Sequence, residues 1–167
     1  MHVCLSNTSA SRWQRHATVD GNVFGGGYAA NSDVDIANIT LWDGIIRNSM
    51  YGGGEIATIG RGTQAKDSST NEFDVTIYKP GETHVTMWGG HVIRDVFGGG
   101  RGFNNWKTED KTEGNTNGYV FGKTDVNIHL GIIGTPEGLE KGYGNVFGGG
   151  NQADVTGKTN VRIGKEN

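Results

Sequence analysis

Val23-Phe24-Gly25-Gly26-Gly27 returns as Met50-Tyr51-Gly52-Gly53-Gly54, as Val96-Phe97-Gly98-Gly99-Gly100 and as Val146-Phe147-Gly148-Gly149-Gly150. A pattern repeated in register along a chain marks stacked structural units. Two apolar residues lead each copy and a glycine triplet follows. Glycine has no Cβ, so it accepts positive φ and lets two backbones approach closely. The pattern predicts a coil that turns the same tight corner once per lap, with the triplets forming that corner.

Working outward, each corner is accompanied by a short alternating stretch: Ile39-Thr40-Leu41-Trp42, Val85-Thr86-Met87-Trp88, Val126-Asn127-Ile128-His129 and Val161-Arg162-Ile163-Gly164. Strict apolar–polar alternation predicts half-buried strands. Ile39, Leu41, Val85, Met87, Val126, Ile128, Val161 and Ile163 are expected to face inward, with Thr40, Thr86, Asn127 and Arg162 facing outward. A third strand is expected at Asp33-Val34-Asp35-Ile36, at Phe73-Asp74-Val75-Thr76-Ile77, at Tyr119-Val120-Phe121 and at Ala153-Asp154-Val155. Gly-containing turns such as Asp43-Gly44 and Gly89-Gly90 lead back to the corner. Longer laps read as the same unit with insertions. Residues 55–72 and 101–118 are expected to leave directly after a triplet, and residues 132–143 from the turn beyond His129. No stretch holds a 3.6-residue apolar period, so helix is not expected.

The fold expected is all-β, a right-handed parallel β-helix (β-solenoid) with loop insertions. An antiparallel β-sandwich is the alternative that turn spacing alone permits. Residues 1–18 do not match the repeat and read as a non-repeat N-terminal segment or cap; residues 19–167 read as the repeat domain, a piece of a longer array.

Composition agrees. Glycine supplies 30 of the 167 residues, against roughly 7% in average proteins, so any core must be narrow and built from short apolar rows. Net charge is −3 with both signs interspersed; without a basic stripe, nucleic acid is not an expected partner. Cys4 is the sole cysteine, which excludes an internal disulfide and a cysteine-based zinc cluster. No apolar run is long enough to cross a bilayer, so no membrane insertion is expected within this segment. Met1 to Ala10 lack the charged-then-apolar layout of a signal peptide.

The corner, together with Ala153-Asp154-Val155-Thr156-Gly157-Lys158-Thr159-Asn160-Val161, resembles the glycine-rich VFGGG/VYGGG repeats of very large cell-surface proteins of gut Bacteroidetes. The resemblance runs from about Val19 to Gly164. It implies an exported array, extracellular or at the bacterial cell surface. The unmatched N-terminus and the long insertions depart from the repeat.

The triplets are not phosphate loops. A Walker loop needs Lys-Ser/Thr after its glycines, and a dinucleotide fingerprint needs Gly-x-Gly-x-x-Gly between strand and helix. Phe24, Tyr51, Phe97 and Phe147 share one lap position and are expected as an internal ladder filling the corner. Trp42, Trp88 and His129 form another row, which alternation directs outward. Together with Thr40, Thr86 and Asn127 they are the candidate ligand-binding residues: a flat platform for an extended glycan, with hydroxyls and an amide to orient it. The competing reading has the neighbouring turns folding over the rings. Asp33, Asp74 and Asp125 could line an outer face, as acids do in glycan-cleaving enzymes, but solvated strand edges are commoner. No nucleophile, base and orienting group converge in the sequence, so no catalytic residue is assigned. His2, His16, His84, His91 and His129 lack metal-ligand spacing, and neither metal nor cofactor is expected.

The function expected is therefore non-enzymatic: a segment of an exported surface repeat protein acting as stalk or adhesin, with weak binding to glycans or host surface molecules and end-to-end self-association. A polysaccharide lyase or hydrolase on the same fold is the alternative.

Overall fold

The computed structural model describes residues 17–66, 69, 73–102, 116–135 and 143–164. Among these the secondary structure is all strand, with no helix. The first sheet sets β1 (Thr18–Val19), β4 (Ile45–Ile46), β9 (His91–Val92) and β12 (Ile132–Ile133) side by side. The second orders β2 (Val23–Phe24), β5 (Met50–Tyr51), β10 (Val96–Phe97) and β13 (Val146–Phe147). The third orders β3 (Ile36–Leu41), β8 (Gly81–Met87), β11 (Gly122–Ile128) and β14 (Thr159–Ile163). All neighbours in these sheets are parallel. Isolated parallel bridges link Val34, Ile59, Val120 and Val155 at a further station. The chain thus visits the same stations in the same order on each pass, and each pass lies against the next. An antiparallel sandwich is excluded by this pairing.

One antiparallel pair is described, and it corrects the sequence reading. Phe73–Lys79 (β7) does not occupy the third-strand station; it pairs with Arg61–Lys66 (β6) as a hairpin. The station itself is held by Ile59. Alternation identifies a strand but says nothing of its partner, which is why Phe73-Asp74-Val75-Thr76-Ile77 misled. The hairpin springs from a pinched base, where a Cβ on Gly81 would lie 2.4 Å from the Gly60 nitrogen. Residues 55–60 therefore belong to the lap. Ile132–Ile133, expected within an insertion, is also a lap strand, paired with β9. Gly102 donates to the Glu55 carbonyl and Gly118 to that of Ile56. The excursion between them, residues 103–115, lies outside the described residues, as do residues 136–142 and 1–16.

The triplets stack as one corner. Gly26 donates to Gly53 (3.1 Å), Gly53 to Gly99 (3.0 Å) and Gly99 to Gly149 (3.0 Å). None of the triplet glycines has a positive φ, contrary to half of the sequence argument. Closeness is the reason they are glycine: a Cβ on Gly53 would sit 2.6 Å from the Gly100 nitrogen, and one on Gly99 would sit 2.7 Å from that of Gly150. Positive φ falls instead on Gly44 (105°), Gly90 (79°) and Gly131 (120°), in the turns that follow the third-sheet strands.

Inward columns form the core. Val85, Met87 and Val126 are 0% exposed and Ile128 7%, packed with Met50, Val92 and Val96 from the other sheets. Burying each such side chain stabilises by about 1.5–3 kcal/mol. The expected columns fail at their ends. Val161 is 41% and Ile163 70% exposed, because β14 has a neighbour on one side only. At the opposite end Ile39 and Leu41 are half-buried and line an apolar cavity of about 170 Å³ with Val19, Val23, Ile45, Ile46 and Met50.

Candidate functional site

The third sheet's outer face carries the residues singled out from the sequence. Register sets Thr40, Thr86, Asn127 and Arg162 in one row, and Asn38, His84, Asp125 and Asn160 in the next. Trp42, Trp88 and His129 follow the ends of β3, β8 and β11. Their spacing is fixed by backbone bonds from Trp88 N to Leu41 O and from His129 N to Met87 O, both 2.8 Å.

The ring row is exposed, and neighbouring turns do not cover it: Trp42 is 70% and Trp88 42% accessible. Its geometry nevertheless differs from a flat platform. Trp42 and Trp88 are stacked with centroids 6.0 Å apart at 11°, and Trp88 and His129 at 3.7 Å and 4°. Rings piled face to face along the stack show their edges outward. At 3.7 Å the His129 ring occupies one face of Trp88. The wider 6.0 Å step is an offset stack, within the usual range for aromatic pairs. Among the described rings of this row, Trp42 is the most exposed.

Polar and charged side chains beside this row engage one another. His84 lies 3.3 Å from Glu82 and 3.8 Å from Asp125, and Lys123 lies 3.2 Å from Glu82. Asp125 also accepts from the Asn160 amide at 2.9 Å and faces Arg162 at 3.7 Å, while Arg162 donates to Asn127 at 3.2 Å. The other acids noted in the sequence serve structure. Asp33 caps the Thr58 N–H at 2.8 Å, and Asp154 accepts the Tyr119 hydroxyl at 3.0 Å. Asp35 holds Lys79 at 2.6 Å; that hydrogen bond lowers the Asp35 pKa below the usual carboxylate value, against a smaller opposing effect of desolvation. Asp74 lies on the hairpin, so Asp33, Asp74 and Asp125 are not gathered into one cluster.

The second aromatic row is a continuous stack, Phe24–Tyr51–Phe97–Phe147, with steps of 5.0, 4.8 and 4.9 Å. Its middle rings are buried, Tyr51 at 4% and Phe97 at 6%, and Phe147 at the end is 43% exposed. Burial raises the Tyr51 pKa above its ordinary value, only partly offset by hydrogen bonds from Asn151 and Ser49.

Two polar rows escaped the sequence reading. Asn22 Oδ1 accepts the Ser49 N–H, Ser49 Oγ that of Asp95, and Asp95 Oδ1 that of Asn145. Each side chain caps the equivalent residue one lap on. The signal was present, since a small polar residue precedes every Val/Met lead-in. Thr83 and Thr124, both fully buried, donate to the carbonyls of Gly98 (2.6 Å) and Gly148 (2.5 Å).

Among the described residues, no group of His, Cys, Asp and Glu is disposed to hold a metal ion, and no helix is long and apolar enough to cross a membrane. No protein-family model, no curated protein and no solved structure matches this chain.

Proposed function

We propose that the chain is a right-handed parallel β-helix working as a stalk segment of an exported surface repeat protein, like the VFGGG-type arrays it resembles. Unbroken parallel register through every pass of three sheets is the observation that carries the reading. The right hand follows from the strong preference of strand–crossover–parallel strand connections. Rows of stacked rings, capped amides and buried threonines repeat the same bond at each step, which suits a spacer whose length scales with repeat number.

Within that stalk, the Trp42 face supplies a weak carbohydrate contact. A pyranose has an apolar face that packs on an indole, and Thr40 stands in the adjoining row. One open ring on a shallow surface gives low affinity. The enzymatic alternative gains no support from the acids here, since Glu82 and Asp125 are engaged with cations or amides.

Retention on a glycan array decides the carbohydrate reading. Weak binding that Trp42→Ala removes, and that Trp88→Phe preserves, is expected. Retention unchanged by Trp42→Ala would leave the plain stalk.

A further inference from the structure

Glycine follows Asp or Asn at Asp20-Gly21, Asp43-Gly44 and Asn117-Gly118. At such links the glycine nitrogen, with no Cβ beside it to obstruct approach, can attack the preceding side-chain carbonyl carbon and close a succinimide ring. In an unfolded chain the Asn link closes fastest, because ammonia leaves more readily than water does from a carboxyl group at neutral pH. The fold sorts the three links differently.

At Asn117-Gly118 the nitrogen is committed elsewhere. Gly118 donates its N–H to the Ile56 carbonyl at 2.6 Å, and a Cβ on Gly118 would lie 2.6 Å from the Gly102 nitrogen. At Asp20-Gly21 the carboxylate is drawn aside, with Arg47 Nε 2.8 Å from Oδ1; an exposed pair of this kind biases the side chain by up to about fivefold. At Asp43-Gly44 the two reacting groups face each other: Gly44 N–H donates to Asp43 Oδ1 at 2.7 Å. Register sets Gly90 and Gly131 at the place of Gly44 in the next laps. Gly89 and Leu130 precede them, so the carboxyl group is particular to this turn.

We propose that Asp43-Gly44 is a site of spontaneous isoaspartate formation favoured by the fold. Gly44 N bonds to Asp43 Cγ, and the amide proton leaves with the carboxyl OH as water. A second water then opens the ring, so none is consumed overall. Attack at Cγ restores aspartate. Attack at the main-chain carbonyl carbon gives isoaspartate, whose backbone runs through Cβ and Cγ and is longer by one carbon. The added carbon lies just before two lap-to-lap bonds, Ile45 N to Ala17 O and His91 N to Gly44 O, both 2.8 Å. These bonds join β4 to β1 and to β9, so isomerisation loosens the first sheet on both sides of β4.

Ageing the whole chain for weeks at physiological temperature and neutral pH, followed by peptide mapping with electron-transfer fragmentation, tests this. In the folded chain isoaspartate is expected first at Asp43. In urea, where Gly118 is no longer held by Ile56, Asn117 should lead. Asp43→Glu would need a larger ring and should stay unmodified at that link while keeping the wild-type circular dichroism. Hydrogen exchange at Ile45 and His91 should quicken on ageing in the wild type and stay constant in Asp43→Glu. Modification of the folded chain led by Asn117 or Asp20, an Asp43 that stays unmodified, or exchange that quickens equally in Asp43→Glu would overturn the proposal.

Discussion

At the residue scale, identical chemistry has opposite consequences according to its place in the stack. Gly99 and Gly149 occupy the same lap position, but only Gly99 has a following lap against its Cα. Gly99→Val should cost about 1–3 kcal/mol or more, the usual cost of overpacking, and chemical denaturation would measure it against a neutral Gly149→Val. Thr83→Val leaves the buried Gly98 carbonyl without its donor and is expected to cost about 1–3 kcal/mol. Tyr51 adds a pH dependence. Its raised folded-state pKa favours the neutral phenol in the fold. That contribution is complete below the unfolded value near 10 and disappears as pH rises through the folded pKa. Wild-type stability should therefore fall more steeply than that of Tyr51→Phe above about pH 10. The corner glycines are legible in the sequence because crowding leaves no other residue. The cause is subtler: crowding and positive φ both select glycine, so composition cannot separate them.

At the level of elements, period two reveals which face a strand buries, and Val85, Met87, Val126 and Ile128 follow it. It is silent on pairing. The alternation in β7 is as clean as that in β8, yet β7 folds back on β6 instead of joining the stack. Through β6 the hairpin lies against Phe121, which is fully buried; a Cβ on Gly62 would lie 2.5 Å from that ring. Since Gly60 and Gly81 already touch, replacing residues 61–79 by a two-residue link should preserve the lap. Phe121 would then be bare. Higher fluorescence of a hydrophobic dye is expected in the shortened chain, and Phe121→Ser in that background should return it to the wild-type level. An unchanged dye signal would mean that the hairpin does not shield the ring. The candidate site is half legible in the same way: alternation sends Trp42 and Trp88 outward, but says nothing of the rings stacking on their lap neighbours.

For the whole molecule, the parallel registers make each lap dependent on its neighbours, so protection should be graded. Hydrogen exchange is expected to be slowest at Val85, Val96 and Val126 and fastest along β14, every residue of which is exposed. Uniform exchange would contradict a stack that frays from its ends. The direction of the backbone bonds has a mechanical consequence. Every lap-to-lap N–H···O=C bond points along the stack, so a pull on its two ends opens bonds one lap at a time instead of shearing a whole sheet at once. A stack of this kind yields at low force but does so repeatedly. The shortest lap, from Gly25 to Gly52, rises about 4.8 Å in the stack and pays out roughly 90 Å when extended. Single-molecule stretching should record a sawtooth of such steps, and a tether of these laps would behave as a shock absorber rather than a rigid rod.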